Sequence, residues 1–207
     1  MGAGYMDKRI VVINGSLRAD GNTDVIIKSL LDGAESTGTI MKQYVLRDKN
    51  INGCIGCYYC YKNDNCSIKD DMQEIHHEIQ NSDLMIFASP MYWWEVTGLM
   101  KTFIDRLYLY YSKRNGHLVD GKKLLLIIPM NVNEKQHGRE AYISEIEPIQ
   151  MLSKYIFKRL GIEIIDIVFY PGLGAKGAAN KNKEYLDSAF KLGENLMKIA
   201  NKSTINK

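Results

Sequence analysis

Cys54-x-x-Cys57-x-x-Cys60-x5-Cys66 holds all four cysteines of a 207-residue chain in one short segment. Structural thiols scatter with the core they fill, so a bunch like this asks for a metal-centred or redox explanation. Two-residue gaps followed by a longer one let three sulfurs line one wall of a tight loop while the fourth closes it from the far side. That is how a 4Fe–4S cluster is held. Structural zinc also takes four cysteines, but from two Cys-x-x-Cys knuckles set apart by a longer segment, and this run is compressed relative to that pattern. In two-cluster ferredoxins the fourth cysteine of a similar run serves another cluster and precedes a proline; here Ser67 follows Cys66 and there is no second set. Zinc, a local disulfide and free thiols stay open as alternatives.

Two further segments carry binding chemistry. Asn14-Gly-Ser-Leu-Arg-Ala-Asp-Gly-Asn-Thr23 is rich in small, hydroxyl and amide residues and ends at a helix start. Helix-start amides, the hydroxyls of Ser16 and Thr23, the Asn22 amide and the Arg18 guanidinium suit a phosphate. No Gly-x-x-x-x-Gly-Lys-Ser/Thr pattern occurs, so this is not a nucleotide-hydrolysing P-loop. The competing reading is an ordinary turn with Thr23 as N-cap. Ser89-Pro-Met-Tyr-Trp-Trp-Glu-Val-Thr-Gly98 contains both tryptophans. Flat apolar walls with backbone donors suit a planar aromatic cofactor, and the same residues suit packing or a subunit interface.

The elements that must position these loops alternate along the chain. Short β-branched and apolar runs at Arg9 to Ile13, Ile40 to Leu46, Leu84 to Ala88, Lys123 to Ile128 and Ile162 to Tyr170 predict five strands. Apolar spacing predicts helices over about 23–33, 70–81, 96–112, 139–160 and 183–200. The first, third and fourth strands are near-continuous apolar runs, as strands covered on both faces should be. The expectation is one α/β domain over residues 1–207, a doubly wound parallel sheet with a cysteine-rich loop at about 48–67. Ligands of such sheets sit outside the carboxyl ends of the strands, which is where all three segments fall, together with loops 129–138 and 171–177.

A net charge of +3, with 25% charged residues, is too small a bias to imply nucleic acid. No apolar run approaches a membrane span, and Met1-Gly-Ala-Gly-Tyr-Met6 leads into a strand without a signal-peptide core. A reducing cytoplasm is the expected setting, and it suits clustered thiolates. The polar tail 201–207 reads as a loose end.

The paired loops on a five-stranded pattern resemble the flavodoxin-like proteins of the NADPH-dependent FMN reductase group, and the cysteine spacing narrows the resemblance to iron–sulfur flavoproteins. It is carried by Gly15-Ser-Leu-Arg18 with Gly21-Asn-Thr23, by Cys54 to Cys66 with Asp70-Asp71, and by Ser89-Pro-Met-Tyr92 with Lys101 and Asp105-Arg106. The resemblance implies strand order 2-1-3-4-5 and FMN bound by Ser16, Arg18, Gly21, Asn22, Thr23, Ser89, Pro90, Met91, Tyr92 and Trp93. It also implies a 4Fe–4S cluster on Cys54, Cys57, Cys60 and Cys66. The implied activity is electron transfer from ferredoxin or NAD(P)H to oxygen, peroxide, a quinone or a redox protein, in a homodimer or homotetramer whose cluster approaches another subunit's flavin. Its rivals are a cluster-free FMN-dependent NAD(P)H reductase of quinones, nitro compounds or flavins, and a non-enzymatic zinc- or protein-binding module. Trp93-Trp94 departs from the small residues that relatives often carry there.

Other signals carry less. Gly172-Leu-Gly-Ala-Lys-Gly177 spells Gly-x-Gly-x-x-Gly but lacks the following acidic strand of a dinucleotide site, so it reads as a loop near the flavin or a neighbouring subunit. His76 and His77 read as solvated, His117 and His137 as turn residues, and Tyr108-Leu-Tyr-Tyr111 as packing or interface. No catalytic acid or base is assigned, and no Ser/His/Asp constellation argues for hydrolysis.

Overall fold

Five parallel strands, β1 (Ile10–Asn14), β2 (Met41–Val45), β3 (Leu84–Ala88), β4 (Lys123–Pro129) and β5 (Glu163–Tyr170), form one sheet in the order β2-β1-β3-β4-β5. This computed structural model describes residues 9–201; the leader Met1 to Met6 and residues 202–207 of the tail lie outside the described residues. The helices are α1 (Asn22–Glu35), α2 (Met72–Asn81), α3 (Gly98–Arg106), a single turn α4 (Glu134–His137), α5 (Arg139–Arg159) and α6 (Lys183–Asn201). Against the sequence-based expectation, α3 ends at Arg106 and a 3₁₀ turn, Leu107–Tyr111, takes over.

Alternation along the strands builds two cores. Val11, Ile13 and Phe87 face one side and pack on Met72, Phe103 and Phe157 of α2, α3 and α5. Ile10, Val12 and Ile86 face the other and pack on Ile26, Leu30 and Leu196 of α1 and α6. Every residue of β1 and β3 is buried, whereas edge strand β2 exposes Lys42 and Gln43. Polar residues on an edge also discourage pairing with another chain. Helices α1 and α6 meet backbone to backbone, since a Cβ at Gly33 would overlap the Phe190 carbonyl and one at Gly193 the Leu30 carbonyl.

One expectation fails in α2. His76 is not solvated: it is 4% exposed, with Nδ1 3.0 Å from the Tyr110 hydroxyl. Met72, Ile75, His76 and Ile79 fall on one helical stripe, and that stripe faces the sheet. Burial, reinforced by the nearby Arg106 charge, lowers its pKa to about 3. His77, one residue on, is exposed. Among the described residues no helix is long and apolar enough to cross a membrane.

Candidate functional site

At the carboxyl end of β1 the buried Asn14 side chain shapes the first loop. Its Oδ1 accepts the Ser16 N–H at 2.9 Å and its Nδ2 donates to Asp24 Oδ1 at 2.6 Å. Asp24, in the first turn of α1, also accepts the Asp20 N–H, and Arg47 pairs with it at 3.0 Å while reaching the Ser16 carbonyl. The loop is thus folded around a neutralised carboxylate. Gly21, not Thr23, is the N-cap of α1, and no side chain caps that helix. Its first-turn amides are left to an outside acceptor, the setting in which helix N-termini bind anions.

The second wall comes from the segment after β3. Ser89 is buried; its hydroxyl accepts the Thr97 N–H and donates to the Pro90 carbonyl, each at 3.0 Å. Thr97 caps α3 and donates to the Gly15 carbonyl at 2.6 Å. This ties the two loops together, and a Cβ on Gly15 would press to 2.7 Å from Met100 Cβ. Between them opens a cleft lined by Ser16, Arg18, Gly21, Asn22, Thr23, Pro90, Met91 and Tyr92, closed by Pro129, Met130, Asn131, Leu173 and Gly174.

Beyond β2 the cysteine loop is pinned at its neck. Asn50 and Asp71 exchange bonds, the Asn52 N–H donates to Asp70, and Arg106 clasps Asp70 from the end of α3. Farther out, the buried Asn115 amide holds the Cys60 and Asn63 carbonyls, each at 3.0 Å. Gly56 and Tyr58 take left-handed conformations, which curl the chain so that Cys54, Cys57, Cys60 and Cys66 all line one shallow hollow. None is in a disulfide. Among the described residues no three His, Cys, Asp or Glu side chains stand close enough to hold a single metal ion; the thiols ring a space instead.

The four sulfurs are not equivalent. The Ser67 hydroxyl, 3.2 Å from Cys57, and the Tyr59 backbone lower the Cys57 thiol. Burial, then the charges of Cys66, Cys54 and Cys57, push the Cys60 thiol up. Cys66 accepts a 3.5 Å bond from Arg106. Burial alone would raise Asp70, but Arg106 and the Asn52 and Met72 N–H groups hold it below the ordinary carboxylate range.

The sequence pattern of the NADPH-dependent FMN reductase family matches residues 8–145, more than half of the chain. The chain belongs to that family. Iron–sulfur flavoproteins of Archaeoglobus fulgidus and Clostridioides difficile are 38% and 41% identical over 102 and 103 residues, covering 49% and 48% of this chain and 46% of each relative. The chain therefore spans about half the length of these curated relatives. A solved NAD(P)H:quinone oxidoreductase from Methanothermobacter marburgensis shares the fold, with a TM-score of 0.67 over 96% of this chain and 98% of that one at 13% identity.

Within this FMN reductase fold, eight of the ten residues assigned to FMN from the sequence meet at the cleft. Ser89 lies behind its wall, and Trp93 stands at a hairpin tip, 83% exposed. Asn22 lines the cleft, but its side chain is engaged elsewhere. Nδ2 donates to the Leu173 and Ala175 carbonyls at 2.8 Å, and Oδ1 accepts the Ala179 N–H. It holds the 173–179 loop over the site. Sequence reasoning named the 129–138 loop without assigning any residue in it, and it missed Asn14, Asp24 and Arg47; of these only Asp24, an acid in a first helical turn, left a readable signal.

Proposed function

We propose that this FMN reductase family member is a redox protein that passes electrons between FMN in the cleft and a 4Fe–4S cluster on Cys54, Cys57, Cys60 and Cys66. The observation that carries the reading is the convergence of all four thiols on one hollow in a chain whose strand ends also form the FMN-family cleft. Bound together, FMN supplies two-electron or one-electron exchange and the cluster one-electron exchange. The residues bind and orient. Ser16, Arg18, Thr23 and the uncapped amides of α1 would take the phosphate, with the Pro90 to Tyr92 segment against the ring. Asn22 keeps the outer loop closed. The four thiolates would hold the cluster, and the donor set suits one: the hollow is thiol-lined, free of disulfides, and bordered by a buried Arg106 whose Nε has no partner among the described residues. No side chain is assigned a proton-transfer role.

The donor class is ferredoxin or NAD(P)H, and the acceptor class is oxygen, peroxide, a quinone or a redox protein, in a cytoplasmic homodimer or homotetramer. Anaerobic purification followed by a visible spectrum and iron, sulfide, zinc and FMN analysis tests the reading. One FMN with about four irons and four sulfides per chain is expected. FMN without iron or sulfide would make the protein a cluster-free reductase, and colourless zinc protein would remove the redox reading.

A further inference from the structure

We propose that Arg106 is the positioning residue of the cysteine centre: it locks the neck of the loop and directs positive charge at Cys66, raising the reduction potential of what the cysteines hold. The proposal rests on the cluster reading above. Arg106 and Asp70 form a salt bridge with both side chains 0% exposed. One guanidinium nitrogen donates to Asp70 at 2.6 Å and to the Asn52 carbonyl at 2.8 Å; the other donates to Asp70 at 3.0 Å and to Ile68 O and Cys66 Sγ at 3.5 Å. Asn52 precedes the first cysteine, and Ile68 and Asp70 follow the last, so one side chain grips both ends of the loop. Only a planar fork can do this; a lysine supplies the charge without the fixed geometry.

The electrostatic half follows from placement. Arg106 lines the hollow with all four cysteines, and its buried Nε has no partner among the described residues. Charge and hydrogen bonding at the sulfurs set the potential of a thiolate-held cluster. Adding an electron makes such a centre more negative, and an N–H donor at Cys66 favours that state. Arg106 also ends the helix whose cap, Thr97, is bonded to the Gly15 carbonyl of the first loop. Nine helical residues therefore join the cysteine neck to the cleft wall over about 13 Å.

Removing Arg106 alone would leave Asp70 buried and unpaired, so the test uses R106M/D70N, which removes both charges and keeps one side-chain oxygen to accept either the Asn52 or the Met72 N–H. Its fold is checked by circular dichroism, and both redox couples are read by anaerobic potentiometric titration with visible and electron paramagnetic resonance detection. The expected result is a folded, loaded protein whose cluster couple falls while its FMN couple is unchanged. R106K, which keeps the charge, recovers part of the shift. An unchanged cluster couple in the folded double variant overturns the electrostatic role. Limited proteolysis of the metal-free proteins decides the locking role independently: R106M/D70N should be cut faster within residues 53–67 than the parent, and equal rates overturn it. A parent without iron or sulfide sinks the cluster reading and the electrostatic role with it, while the proteolysis still decides the lock.

Discussion

The cleft and the cysteine hollow are built on opposite plans. The cleft draws its walls from four separate loops, held by bonds such as Asn22 to Leu173 that join residues 151 positions apart. The hollow takes its four thiols from residues 54–66 and borrows little beyond Arg106, Tyr108, Leu109 and Asn115. A distributed site inherits its rigidity from the sheet, and its geometry fails only when a cross-loop tie fails. A local site depends on its own neck. The two should therefore be separable by mutation.

The largest separation is expected from the thiols. Replacing Cys60 by serine should abolish iron and sulfide incorporation while FMN binding stays within about twofold, read by metal analysis and fluorescence titration; loss of both cofactors together would show that the sites are one structural unit. The reverse break is Asn22→Ala. It strands the Leu173 carbonyl and the Ala179 N–H at the base of the 173–179 loop, each costing about 1–3 kcal/mol if it stays dry, while the Ala175 carbonyl keeps the Ala178 N–H. FMN affinity should weaken roughly tenfold or more, since about 1.4 kcal/mol is a factor of ten, with iron content unchanged.

The same contrast governs what could be read from the chain before its structure. The cysteine centre announces itself because its ligands are neighbours in sequence. Strands β1, β3 and β4 announce themselves because burial on both faces leaves them near-continuously apolar. The cleft was half legible: Ser16 to Thr23 and Pro90 to Tyr92 carry binding chemistry, whereas the loops at 129–138 and 171–177 could be placed at the strand ends but not assigned residue by residue. The bonds of Asn22 reach across the whole fold, so no local pattern encodes them. His76 was misread by residue type although its position, four residues after Met72 and three before Ile79, fits the buried stripe.

That histidine supplies a test of the support beneath the cysteine side. It is neutral and buried, with its folded pKa lowered to about 3 against about 6.5 when exposed. The unfolded chain therefore binds the extra proton first, and the stability gained from a neutral His76 is complete above about pH 6.5. It is lost progressively as pH falls toward 3, at up to about 1.4 kcal/mol per pH unit. The depressed Asp70 acts in the same sense at lower pH: its contribution is present above the ordinary carboxylate range and lost as pH falls through its lowered value. Denaturant melts of His76→Leu between pH 4 and 7 should show a shallower acid loss than the parent, and equal slopes would remove His76 as the titrating group.

The smallest effect concerns the one part of the aromatic segment that stands clear of the cleft. Tyr92 and Glu95 pair as a two-residue hairpin, and the residues between them, Trp93 and Trp94, have φ of 50° and 62°. Consecutive left-handed positions in such a turn favour Asn-Gly, and a bulky residue there costs about 1–2 kcal/mol. Trp93 recovers little by packing, at 83% exposure. Replacing the pair by Asn-Gly should raise stability by about 1 kcal/mol in denaturant melts. The accompanying change in FMN affinity then says what the strain is kept for. Weaker binding would assign the hairpin to the ring, as the sequence resemblance implies. Unchanged binding would leave two strained indoles facing outward, and the cleft would be complete with the eight residues that line it.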